Sequence, residues 1–325
     1  MTAAKRAAKL LEGAIAKNAS DVFILPTVAG FVLYFRTKNG LSNQQKLTYS
    51  EGRELINYFK YSAEMDLAEH RRPQVGAYQV VLNDQSYAVR LSSIGDFHDR
   101  ESLVLRIIYD LATSRYFYPE QFEELAKLVG RRGLILTSGP TGSGKTTTMY
   151  SLAQELARQG QLVLTIEDPV EVAHQDFLQT QINDEAGISY QALLKAALRH
   201  RPDVLIIGEI RDQVTARLAV DAALSGHLVL ATVHAKSTYQ TISRLESLGI
   251  GRTDLCNCLT AVSYQRLLPT NSGQACLLDL AAGRQLTKLI NTDQRADFVA
   301  WRQNLAALVK EGRLDLDAYE LFQQG

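Results

Sequence analysis

"GLILTSGPTGSGKTTT", residues 133–148, decides how the chain folds. Gly139–Thr146 satisfies G-x-x-x-x-G-K-[ST], and Thr147 follows it. The apolar run Leu134–Ser138 just before it has strand length, and residues 145–159 just after it carry a helical pattern. The spacing therefore predicts a tight turn between a buried strand and the amino terminus of a helix. Glycines in such a turn let backbone N–H groups face inward, and the helix dipole adds a positive field. That combination cradles phosphate oxygens. Gly139, Pro140, Thr141, Gly142, Ser143, Gly144, Lys145, Thr146 and Thr147 are the predicted phosphate-binding set. In it Lys145 reaches toward the β- and γ-phosphates of ATP, and the Thr146 hydroxyl holds Mg²⁺.

Three further stretches work outward from this loop. "LTIEDPVE" (164–171) clusters Glu167, Asp168 and Glu171 at the carboxyl end of an apolar run, expected to lie on the strand beside the loop's own. Ligands of open α/β sheets bind at that edge. "DVLIIGEIRD" (203–212) is a strand that runs into Gly208, which has no side chain to ligate a metal. Glu209 follows, where a glutamate can polarise an attacking water. Arg211 and Asp212 read as a local ion pair capping the next helix. "SGHLVLATVHAKST" (225–238) brackets a strand with two histidines, His227 and His234. His234 falls at the carboxyl end, in reach of a γ-phosphate, and His227 is grouped with the nucleotide-binding set.

Two halves differ in texture. Residues 1–112 read as a mixed α/β module, with an Asn39-Gly40 turn and Ser50 as the expected cap of a helix. Residues 113–120 read as a linker ending at Pro119. Residues 121–325 alternate strands (134–138, 162–166, 204–207, 228–233) with helices (145–159, 190–200, 212–225, 238–248), the pattern of a mostly parallel sheet covered on both faces. From 252 onward the tail reads as mainly helical, with a short strand near "QACLLDL".

Bulk properties narrow the function classes. At 325 residues, two domains are expected. A net charge of +0 gives no global field toward nucleic acid or anionic membranes. Apolar runs have strand length, short of a membrane span, and the first residues lack a signal-peptide core. Cys256, Cys258 and Cys276 have no C-x-x-C spacing, which argues against zinc and against a disulfide framework. A reducing cytoplasmic setting is expected.

Taken in order, the four motifs resemble the Walker A, Asp box, Walker B and His box of the secretion ATPases of type II secretion and type IV pilus machines. "ASDVFILP" upstream resembles the "ASDIHIEP"-like stretch of their second N-terminal domain. The resemblance covers roughly residues 15–270. It implies a RecA-like P-loop ATPase domain behind a smaller α/β, PAS-like N-terminal domain, and a homo-hexameric ring. It implies Glu209 as the catalytic glutamate, with Glu171 the Asp-box acid nearest that site. It also implies arginines supplied by the N-terminal domain, which match Arg90 in "AVRLSS" and Arg106 in "LVLRII". A cytoplasmic position against the cell membrane, docked on an integral membrane platform protein, is implied as well.

Departures are Phe23, Leu25 and Ser102, where the family carries His, Glu and Arg. The four-cysteine zinc module, the extra leading domain and an "AIRNLIRE"-like helix are not found. The pattern is most like the assembly ATPases of the competence pseudopilus, which serve DNA uptake in Gram-positive bacteria. A secretion or pilus ATPase outside competence is the alternative. A RecA-like nucleic-acid motor is a further one, disfavoured by the neutral charge and the lack of a basic, aromatic-rich stripe. A nucleotide-binding regulatory module is the last.

Overall fold

The computed structural model describes residues 2–37, 39–82, 85–109, 115–183, 186–270, 273–292 and 299–325. They fall into two compact units, Met1–Asp110 and Leu111–Gly325. Part of the segment read as a linker, residues 113–114, lies outside the described residues.

The first unit pairs helices α1 (Ala3–Ala16) and α2 (Tyr49–Ser62) with six strands. These are β1 (Asp21–Thr27), β2 (Gly30–Thr37), β3 (Gly40–Leu47), β4 (Gln74–Leu82), β5 (Gln85–Gly95) and β6 (Glu101–Ile108). The sheet order is β3-β2-β1-β6-β5-β4, antiparallel throughout. Alternation fixes which face is buried. Leu103, Leu105 and Ile107 of β6 join Leu11 and Phe59 of the helices in one core. Arg106 takes the other face, 60% exposed, and donates from Nε to Asp21 Oδ1 at 2.9 Å. Register then aligns Arg36, Asp21, Arg106 and Arg90 across four strands. Ser50 does not cap α2. Thr48 does, through a reciprocal capping box with Glu51, because Thr48 keeps extended backbone while residue 50 is already helical.

The second unit contains α3 (Pro119–Leu128), β7 (Gly133–Ser138), α4 (Lys145–Arg158), β8 (Val163–Glu167), β9 (Phe177–Gln181), α5 (Tyr190–His200), β10 (Val204–Ile207), α6 (Gln213–Leu224), β11 (Leu228–Val233), α7 (Thr238–Ser247) and α8 (Arg252–Cys258). A hairpin, β12 (Leu259–Thr270) and β13 (Gly273–Ala282), follows, and then α9 (Gly283–Asn291), α10 (Val299–Lys310) and α11 (Leu316–Phe322). The sheet order is β13-β12-β7-β11-β10-β8-β9, parallel except for β13. β7, β8, β10 and β11 are buried at every residue, because cores lie on both sheet faces.

Two expectations are corrected. The acid-bearing strand β8 is not the neighbour of β7; β11 and β10 stand between them. The chain crosses over after α4 and fills the gap later, a long-range pairing that local sequence does not encode. The tail carries helices α8 to α11 as expected, but in place of one short strand it holds β12 and β13, which extend the sheet by two long strands. β12 buries both faces, so its residues show no alternation to mark a strand. Tyr116 makes a parallel bridge to Cys276 of β13: Phe117 N–H donates to the Cys276 carbonyl at 2.9 Å, and Cys276 N–H to the Arg115 carbonyl at 2.7 Å.

Candidate functional site

The carboxyl ends of β7, β8, β10 and β11 open into one cleft of 630 Å³. Its floor is the turn between β7 and α4. Gly139, Gly142 and Gly144 take φ of 149°, 76° and 84°, values that disfavour other residues. Gly139 is also confined: a Cβ there would stand 2.5 Å from the Gln265 carbonyl and 2.6 Å from Ser143 Oγ. Pro140 supplies a carbonyl to the floor, and Thr141, Thr146 and Thr147 line the mouth.

Lys145, only 9% exposed, donates to the carbonyls of Gly139 at 3.0 Å and Pro140 at 2.9 Å. Burial lowers its pKa, and the carboxylates of Glu209 and Glu171 oppose that shift. The ammonium is thus held at the loop, where a phosphate oxygen can take over the carbonyls' role.

At Gly208, where a Walker aspartate would stand, a Cβ would lie 3.3 Å from Glu167 Cα and 3.4 Å from its Cγ, so a side chain there would require β8 to give by a few tenths of an ångström. Thr232 Oγ1 donates to the Gly208 carbonyl, and Ile210 N–H donates to the Thr232 carbonyl at 2.8 Å, which staples the segment to β11. Glu209 then turns into the cleft with both oxygens engaged. Oε1 lies 3.2 Å from His234 Nε2, and Oε2 accepts from Arg211 Nε at 2.9 Å.

His234 is therefore drawn into the cleft with Glu209. Its pKa is lowered, first by burial and then by the charges of Lys145 and Arg211, against the pull of Glu209 and a polar contact with the Gly139 backbone. Arg211 does not pair locally with Asp212. It spans Glu209 and Asp168, the latter at 3.0 Å, and its pKa is raised chiefly by the hydrogen bond to Glu209. Asp212 does cap α6, accepting from Thr215 N–H at 2.8 Å.

The three acids after β8 separate by environment. Glu171 Oε2 accepts from Thr146 Oγ1 at 3.2 Å, in the mouth. Asp168 is held by Arg211. Glu167 is 3% exposed and takes hydrogen bonds from Tyr150, Thr165 and Gln179; burial raises its pKa. His227 is not with them. It precedes β11, seven residues from His234 and so roughly 23 Å away at the opposite sheet edge, with Nδ1 3.2 Å from the Ala222 carbonyl. Flanking one strand of six residues at both ends forces that separation. Arg90 and Arg106 belong to the first unit, where they are register partners.

Gln265, not singled out from sequence, lies under the turn. It is fully buried on β12, and its Nε2 donates to the Ser143 carbonyl at 2.7 Å. The only signal for it was a polar residue inside an apolar run.

Thr146 Oγ1 and Glu171 offer hard oxygen donors at the mouth. Among the described residues no group of three or more His, Cys, Asp or Glu forms a metal cage. A sparse oxygen set completed by water and phosphate is what Mg²⁺ accepts, so these residues fit that ion.

The model of the family "Type II/IV secretion system protein" matches residues 2–307. Competence protein ComGA of Streptococcus pneumoniae (strain ATCC BAA-255 / R6) is 36% identical over 308 residues, covering 95% of this chain and 94% of that protein. Competence protein ComGA of Bacillus subtilis (strain 168) is 37% identical over 265 residues, 80% of this chain and 74% of that one. The X-ray structure of the Legionella pneumophila ATPase DotB superposes with a TM-score of 0.77 at 22% identity, over 99% of this chain and 95% of that one. The pilus retraction motor PilT with bound ADP superposes with a TM-score of 0.75 at 24% identity, over 97% and 96%. The fold is thus that of the RecA-like ATPases behind an antiparallel N-terminal sheet. Its match is continuous across both units, and the chain belongs to the type II/IV secretion system protein family.

Proposed function

We propose that this chain is an Mg²⁺-dependent ATPase that powers assembly of a competence pseudopilus for DNA uptake. The observation that carries this is the cleft itself, in which Lys145, Glu209 and His234 meet around one phosphate-binding turn. The identity to the two ComGA proteins supports the competence assignment over secretion.

Bound Mg²⁺ would be held by the Thr146 hydroxyl, with Glu171 beside it, and would supply charge neutralisation at the phosphates. The chain's own groups have separate tasks. Backbone N–H groups of residues 141–147 and the Lys145 ammonium orient the phosphate chain. Glu209 accepts a proton from the attacking water, a step worth about 10²–10⁴ in rate. His234 holds Glu209 in place from the β11 side through Nε2, and on releasing it can donate that N–H to a γ-phosphate oxygen. Arg211 fixes the second oxygen of Glu209.

In this reading Arg90 and Arg106 neutralise transition-state charge across a subunit boundary of a homo-hexamer. The 1–112 module moves as the 121–325 domain turns over ATP. The ring works at the cytoplasmic face of the membrane on an integral platform protein, without binding nucleic acid or zinc. No helix among the described residues is long and apolar enough to cross a membrane.

The test is Mg²⁺-dependent ATP hydrolysis against protein concentration, wild type beside Glu209→Gln. Specific activity rising with concentration, and abolished by Glu209→Gln with nucleotide binding intact, is expected. Activity that is flat with concentration refutes the shared site. Activity that survives the substitution refutes Glu209 as the base.

A further inference from the structure

At the opposite, amino-terminal edge of the second unit's sheet lies another recess, of 380 Å³. Arg131, Arg132 and Arg201 line it together with His227. Among the described residues none of the three guanidiniums makes a hydrogen bond or an ion pair. The lining has one carboxylate, Asp203, and it is committed: Oδ2 accepts from Leu162 N–H at 2.8 Å. The recess therefore presents an uncompensated excess of positive charge, and it does so in planar forks that match phosphate geometry.

Local backbone supports the placement. Arg201 caps α5 in the left-handed region, φ 49° and ψ 54°, where glycine is the favoured residue. Gly226 lies beneath Arg132, and a Cβ at 226 would stand 3.4 Å from its Nη1. His227 has Nδ1 turned to the Ala222 carbonyl, which leaves Nε2 available. No Phe, Tyr or Trp lines the recess, and its lining offers no large aromatic anchor for a protein partner. The volume sits at the small end of ligand sites.

We propose that this recess binds a compact oligophosphate anion, independently of the nucleotide cleft. The phosphate is either free in solution or carried on a lipid headgroup. Its walls include the residues that lead into β7 and β10 and the first residue of β11, the strands whose far ends carry the phosphate turn, Glu209 and His234.

The full chain with Lys145→Ala, which silences the nucleotide cleft, is titrated calorimetrically with inorganic tripolyphosphate. In parallel it is sedimented with phosphatidylcholine vesicles containing cardiolipin, whose headgroup carries two phosphates. Binding in either arm that weakens roughly tenfold or more with Arg201→Ala, and again with Arg131→Ala/Arg132→Ala, supports the site. Binding to tripolyphosphate identifies a free anion, and binding confined to vesicles identifies a headgroup. Arg201→Lys keeps the charge but loses the fork, and is expected to weaken binding by several-fold. The proposal is overturned if tripolyphosphate and vesicles both fail to bind, or if binding survives the arginine substitutions. It is equally overturned if wild type binds tripolyphosphate and Lys145→Ala alone removes it, because the anion then sits in the phosphate turn. Since the three arginines are exposed, each variant should match wild type in thermal unfolding, which separates lost binding from lost fold.

Discussion

Glu209 has no idle oxygen: His234 holds one and Arg211 the other. His234 gives this arrangement a pH signature. Its pKa lies below the usual value near 6.5, chiefly through burial, so the folded chain binds fewer protons than the unfolded chain just below that pH. Stability is therefore lost as the pH falls through about 6.5 toward the folded value. The thermal midpoint of wild type should drop more steeply than that of His234→Gln between about pH 7.5 and 5.5, and parallel slopes would refute the assignment. Gln265 makes a second residue-scale prediction. Gln265→Leu strands the buried Ser143 carbonyl, a loss of about 1–3 kcal/mol at the turn. The KM for ATP should rise roughly tenfold with kcat little changed, and an unaltered KM would remove Gln265 from the nucleotide's support. Lys145, Glu209 and His234 were legible in the sequence because each is fixed by a strand end and a motif. Arg211 was misread as a local pair because Asp168, one of its two partners, is 43 residues away. His227 was misplaced because grouping by motif ignores that one strand has two ends.

Elements show the same division. β7, β10 and β11 could be read because a fully buried parallel strand is a short apolar run between turn signals. β12 could not, since "LTAVSYQRLL" is apolar enough for a buried helix and carries no alternation. The order β7-β11-β10-β8 was equally hidden, because which strands pair is settled by crossovers and not by local pattern. Cap chemistry was legible in kind but misplaced by two residues. Thr48→Ala, which breaks the capping box of α2, should destabilise the first unit by about 1 kcal/mol, and Ser50→Ala by less than about 0.5. Urea midpoints at constant slope would measure both, and the reverse ranking would restore Ser50 as the cap.

The whole molecule comprises two units with separate cores. Trp301, the chain's single tryptophan, is fully buried against Tyr264, with ring centroids 5.0 Å apart, and donates from Nε1 to the Phe322 carbonyl at 2.8 Å. Its fluorescence reports the second unit alone, whereas far-ultraviolet dichroism sees both. The two melts should therefore separate, and coincident transitions would show one cooperative block. The short bridge of Tyr116 on Cys276 has a mechanical consequence for this divided molecule. Tension on Arg115 is borne in part by β13, through the two hydrogen bonds of Cys276, and in part by α4, where Thr148 Oγ1 lies 3.1 Å from the Tyr116 hydroxyl. From β13 it is shared with β12 along ten paired positions, and β12 is the strand that carries Gln265 beneath the phosphate turn. A pull at Arg115 thus reaches the underside of the phosphate-binding turn and the helix that follows it.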